Sequence, residues 1–349
     1  LDQGLKYVNN DSCYPSITVV GQFMEAVNSG RYDTDKLAIV MTQTGGACRA
    51  SNYVGYIRKG LRDAGYPDIP VIAISAQGIE SNSGLDLRKP STLPFLKKGF
   101  RAIIFGDLLN RVSNATRPYE VNKGETNELK EAWIKRLEVE APKMNDRDYK
   151  KAVKEIVEDF DNIPVKDIKL PKAGIVGEIL VKFLPEANNN LQAVLEAEGA
   201  EVILPDLTDF FMYCMKNSEL KADLYGKSKL SASLGKVGIG IVEQYRKPVR
   251  KALKESKRFD EPEYIDQIAE YAKGVTSLGN QAGEGWLLAG EMVELIHADA
   301  PNIVCIQPFG CLPNHITGKG VMKKIREEYP QANIVAIDYD PGASEVNQI

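Results

Sequence analysis

Five cysteines occur in the chain, and three of them fall in turns punctuated by Gly or Pro: Cys13 in DSCYPS, Cys48 in QTGGACRASN and Cys311 in QPFGCLPNH. A cysteine that only packs usually sits inside an apolar run. One in a tight turn ahead of a helix has its sulfur near backbone N–H groups and the positive helix end. Those conditions lower a thiol pKa and favour the thiolate, the form that binds metal or attacks. Three separated thiolates meeting at one point would suit an iron–sulfur cluster with one iron left open; nucleophilic and zinc chemistry are the other readings of such thiols. Cys305, inside the apolar run NIVCIQ, reads as a small buried hydrophobe, with a lesser claim to be the third ligand. Cys214, in DFFMYCMKN, reads as packing on an aromatic-rich helix.

Other residues have weaker chemical claims. Gly45 and Gly46 follow an apolar strand and precede a helix, where paired glycines let a cofactor approach the backbone. Neither the dinucleotide fingerprint nor the phosphate-loop pattern is present. Glu284, in NQAGEGWLLAGEMVELI, suits either a helix cap or an acid facing a site, and His315 suits a turn or a proton donor beside a redox centre. His297 is placed to interact with a helix C-terminus. With only two histidines, a His-rich metal centre is hard to build; Cys311 with His315 is the single weak zinc pair. The Lys/Arg-rich run Tyr245–Arg258 reads as a solvated helical face, and the loop Asp338–Gly342 as part of the rim that bears the cysteine turns.

The elements that must position these residues alternate in βαβ rhythm. Helix 14–30, strand 36–43, helix 51–65 and strand 70–75 imply a parallel sheet with right-handed crossovers. Strands at 173–181, 201–206, 302–307 and 333–338, with helices at 188–200 and near 319–328, imply a second one. The expected fold class is therefore α/β, two parallel-sheet lobes of flavodoxin- or Rossmann-like kind with helical inserts. The first lobe would span 1–100, a helical insert or bridge 101–170, and the second lobe 171–349 with a helical section about 208–298.

Bulk properties narrow the function classes. At 349 residues the chain exceeds what one core usually supports. Lys+Arg of 44 against Asp+Glu of 48 exerts no general pull toward nucleic acid or an anionic membrane. No apolar run approaches the ~18 residues of a membrane span, and an odd cysteine count without short-range pairing fits a reducing cytoplasm. The opening Leu1 and the closing ASEVNQI read as mid-protein sequence, so a piece of a longer polypeptide is expected.

Six segments together resemble a known family: DSCYPSITVVGQFMEA, MTQTGGACRASNYVGYIRKGLRDAG, RPYEVNKGETNEL, NQAGEGWLLAGEMVELI, CIQPFGCLPNH and ANIVAIDYDPGASEVNQ. They are similar to activase-related members of the 2-hydroxyacyl-CoA dehydratase and benzoyl-CoA reductase superfamily. The resemblance implies two α/β lobes holding an oxygen-sensitive [4Fe–4S] cluster through Cys13, Cys48 and Cys311; a related branch holds a double-cubane cluster. It also implies an activase ATPase, on the same polypeptide or a partner chain, that injects a low-potential electron for a substrate such as an acyl-CoA. A dimer is compatible with it. The other reading is a non-catalytic scaffold or regulatory lobe that docks the activase.

Overall fold

In the computed structural model, residues 1–43, 46–75 and 93–342 are described. The first sheet is small. Helices α1 (Asp2–Tyr7) and α2 (Tyr14–Asn28) precede strand β1 (Ile39–Gln43); α3 (Tyr53–Asp63) then crosses to β2 (Val71–Ser75). The two strands pair in parallel, with Ile39 opposite Val71 and Gln43 opposite Ser75. The apolar faces of α2 and α3 bury Ile17, Val20, Met24, Ile57 and Leu61 in one core with Ile39 and Ile69.

A helical region follows: α4 (Leu93–Thr116), α5 (Glu125–Glu140) and α6 (Asp146–Asp161). The Asn145 side chain starts α6 by accepting from the Arg147 and Asp148 amides at 2.8 and 3.0 Å. Its buried stripe of Val153, Ile156 and Phe160 packs against Leu108, Val112 and Trp133. Each such fully buried side chain contributes about 1.5–3 kcal/mol.

The second sheet is built from β3 (Lys172–Gly177), α7 (Ile179–Phe183), α8 (Leu191–Ala197), β4 (Glu201–Ile203), α9 (Leu207–Tyr225), α10 (Lys229–Glu255), α11 (Ile265–Lys273), α12 (Trp286–His297), β5 (Asn302–Pro308), α13 (Leu312–Thr317), α14 (Met322–Glu328) and β6 (Asn333–Tyr339). Its order is β4-β3-β5-β6, parallel throughout. The fold is α/β, with two small parallel sheets among many helices. Helices on its faces explain why β5 reads as a continuous apolar run rather than an alternating one. Because β3 leads to β4 on one side and β5 lies on the other, the strand order reverses between β3 and β5. Ligand crevices of open α/β sheets form at the carboxyl ends of such strands. No helix among the described residues is long and apolar enough to cross a membrane.

Two sequence expectations need correction. The run 173–181 is not one strand: β3 stops at Gly177, whose φ of +138° and close approach to Ile306 O exclude a side chain. Glu178 then starts α7, accepting from the Val181 amide at 2.9 Å. The Tyr245–Arg258 run is not a solvated face either. Its lysines are exposed, but Arg246 and Arg250 are buried.

Candidate metal centre

The three turn cysteines each stand one residue ahead of a helix. Cys13 precedes α2, Cys48 precedes the short 3-10 turn Arg49–Ser51 that leads into α3, and Cys311 precedes α13. Their loops converge. The Tyr14 amide donates to Phe309 O at 2.9 Å, fastening the Cys13 turn to the loop after β5. Gly310 has φ +67°, and a Cβ there would lie 3.0 Å from Cys13 Cα, so only glycine lets the two turns touch. A Cβ on Gly283 would sit 3.0 Å from Pro313 and 3.9 Å from Cys48 Sγ, which places the loop before α12 between Cys48 and α13.

Two carboxylates and a tyrosine complete the pocket. Glu284 accepts from the Ile179 amide and from Asn314 Nδ2, both at 3.0 Å; it caps α7 while facing the thiols. The charges of Glu178 and Glu284 act on both Cys48 and Cys311, that of Glu178 also acts on Cys13, and the Cys13 charge acts on Cys48. Tyr53, the first residue of α3, feels Glu178 and all three thiols. Each sulfur has a hydrogen-bond partner: Ser16 and Tyr53 at Cys13, the Ala50 amide at Cys48, and Asn314 Nδ2 at Cys311, 3.2 Å away.

This setting reverses the expected thiol acidity. The helix ends are in place, yet burial dominates and raises all three pKa values, Cys48 to about 12. The neighbouring carboxylates push the same way, and burial together with Glu284 lifts Glu178 itself to about 8. Among the described residues neither carboxylate forms an ion pair; the nearby Lys182 is engaged by Glu291 at 3.1 Å. A pocket of three thiols and two carboxyls without a paired cation holds protons that a cationic guest would displace. With N–H donors already aimed at sulfur, this donor set fits a thiolate-bound iron–sulfur cluster. Among the described residues no three His, Cys, Asp or Glu side chains are grouped to hold one metal ion, so the zinc pair of Cys311 and His315 gains no further donors. A cluster spreads its ligands over several irons and does not need them on a single ion.

The remaining candidates lie elsewhere. Cys305 is fully buried in the core below β5, where Gln307 Nε2 donates to its sulfur at 2.9 Å. His315 lies half-buried on α13, its amide donating to Cys311 O. His297 ends α12 and stacks on Tyr271. Gly46 is exposed beside Cys48, whereas Gly45 lies outside the described residues. Gly46 instead lines a cavity of about 940 Å³ with Phe210, Tyr213, Cys214, Lys221 and Pro313, which borders the thiol pocket at Gly283. Cys214 is not a packing residue: it is exposed at the cavity wall, although the walls still push its pKa up to about 12.

Sequence reasoning missed Glu178, Tyr53 and Asn314. Glu178 had a readable signal, a glycine followed by an acidic residue and the helix-forming run ILVKF. The other two are set by which helix ends meet in space. No family model, curated protein or solved structure matches the chain.

Proposed function

We propose that the chain is an iron–sulfur module, with Cys13, Cys48 and Cys311 as the thiolate ligands and [4Fe–4S] as the cluster type. The observation that supports this reading is the convergence of three cysteines from helix N-cap positions, Cys13 and Cys311 buried and Cys48 partly so, with two carboxyls that form no ion pair among the described residues and with hydrogen-bond donors at each sulfur. The cluster would supply one-electron chemistry at an iron free of protein ligands. Around it, Tyr53, Asn314 and the Ala50 amide direct hydrogen bonds at sulfur, and the 940 Å³ cavity offers an approach for a reducible substrate. In line with the resemblance, the module accepts low-potential electrons from an activase ATPase and passes them to a substrate such as an acyl-CoA, in a reducing cytoplasm.

The test is anaerobic reconstitution with iron and sulfide, followed by iron and sulfide counting, visible absorption and electron paramagnetic resonance. Wild type should gain a cluster. The combined Cys13→Ala, Cys48→Ala, Cys311→Ala variant should not, while Cys214→Ala and Cys305→Ala should keep it. A wild type that binds no cluster, or a triple variant that binds it undiminished, would leave the scaffold reading in its place.

A further inference from the structure

The segment RPYEVNKGETNEL contributes nothing to the thiol pocket. It forms one wall of a second cavity of about 720 Å³, in the size range of small-molecule sites. Arg117, Lys123, Lys130, Lys166 and Lys182 line it, against two carboxylates, Glu120 and Glu196. Those carboxylates are already occupied. Glu120 accepts from the Gly124 and Thr126 amides at 2.6 and 2.9 Å, and Glu196 pairs with Arg117 at 2.6 Å. Lys182 is held by Glu291.

Lys123, Lys130 and Lys166 form no ion pair among the described residues. Lys130 Nζ donates to the neutral Asn110 Oδ1 at 2.9 Å, and burial with the Arg117 charge outweighs the nearby Glu196 and lowers its pKa to about 8. Three unpaired lysines in one concavity stand out in a chain with a formal charge of −4. The wall that bears them is braced. The Val121 amide donates to Pro164 O at 2.9 Å, the Lys166 amide to Tyr119 O at 2.8 Å, and Arg117 also bonds Asn127 at 2.8 Å.

Asn188, Asn190 and Gln192 also line the cavity; Asn188 is spent on Val181 O and the Leu191 amide and Gln192 on Asn114 and Glu196, while Asn190 holds a left-handed φ of +54°, a conformation costly outside glycine that recurs where function requires it. Its side chain makes no cap hydrogen bond to α8.

We propose that this cavity binds a small organic polyanion bearing two or more phosphate or carboxylate groups. Lys123, Lys130 and Lys166 supply the charge, as flexible point cations suited to such groups. The Asn190 side chain is the amide placed to orient the guest.

Calorimetric titration of the purified protein tests this with tripolyphosphate and with citrate, at physiological ionic strength. The readout does not depend on iron, so its failure and failure of the cluster reading are separate results. Saturable binding of tripolyphosphate alone assigns phosphate, and of citrate alone carboxylate. The Lys123→Ala/Lys166→Ala variant changes exposed residues and should weaken binding about tenfold or more; Lys130→Gln should do likewise. A Lys151→Ala/Lys154→Ala variant on α6 should match wild type. The proposal is overturned if neither probe binds saturably, or if the α6 variant loses as much affinity as the cavity variants.

Discussion

Two of the buried groups of carboxylates among the described residues are compensated differently. Around α9 and α10, Asp206 and Asp209 meet forked arginines: Arg111 to Asp206 at 2.8 Å, and Arg246 to Asp206 at 3.3 Å and to Asp209 at 2.9 Å. The Asp107 carboxylate, from α4, accepts the Leu207 and Thr208 amides at 2.9 Å and so caps α9 from another helix. In the thiol pocket, Glu178 and Glu284 have amides and Asn314 but no bonded cation among the described residues. The first arrangement ties three helices together. The second leaves two carboxyls with raised pKa values beside thiols that must also lose protons to act, the kind of perturbation common at functional sites. The contrast separates charge spent on holding the fold from protons held for a guest to displace.

Breaking the arginine network should have the largest effect. Arg246→Ala leaves Asp206 and Asp209 short of their partner in a buried setting, and should cost about 3–5 kcal/mol in urea unfolding. Removing a thiol should cost far less, because Cys48 is half-exposed and forms no ion pair. If Cys48→Ala destabilised the protein as much as Arg246→Ala, the division between the two regions would fail.

The pH dependence of stability sharpens the same contrast. Burial raises Asp107 and Glu291 to about 7, Asp209 to about 6 and Glu178 to about 8. Unfolded carboxyls titrate near 4, so over this window the folded state holds more protons than the unfolded state. Stability therefore falls as pH rises from about 4 through about 8, opposite to the trend for salt-bridged carboxylates. Urea unfolding should show stability falling steadily between about pH 5.5 and about pH 8. Asp107→Asn and Glu178→Gln should each flatten that slope, which apportions it between the regions. A slope of the opposite sign would remove the assignment of these groups as protonated.

Much of the arrangement was legible in the sequence, and what was not has a local cause. The cysteine turns could be read because Gly and Pro mark the chain reversals that put Cys13, Cys48 and Cys311 ahead of helices. Their acidity could not, since it depends on how deeply other elements cover them. The strand expectation for 173–181 failed because Glu178 is the one polar residue in AGIVGEILV and was passed over, although with the positive φ of Gly177 it ends the strand and starts α7. The arginines of α10 were misread through their neighbours. Arg246 and Arg250 share a helical face with Val249 and Leu253, while Lys247, Lys251 and Lys254 lie on the exposed side. Their four-residue spacing carried that signal, but composition alone masked it.

The smallest effect tests whether the unpaired carboxylates act on the thiols as the geometry implies. Glu284→Gln removes a negative charge that raises both Cys48 and Cys311. In the apoprotein the variant should lower both thiol pKa values. Alkylation by iodoacetamide follows thiolate fraction, so Cys48 should react roughly three- to tenfold faster, read peptide by peptide by mass spectrometry. Glu291→Gln serves as the matched control from beyond Lys182, and should leave the Cys48 rate near wild type. An equal acceleration in both variants would mean that loosened packing, not charge, governs the thiol. An unchanged rate in Glu284→Gln would mean that hydrogen bonding to Asn314 and the Ile179 amide already neutralises its effect. Only the selective acceleration keeps the thiol pocket distinct from the arginine network as a place where acids lack a cationic partner among the described residues.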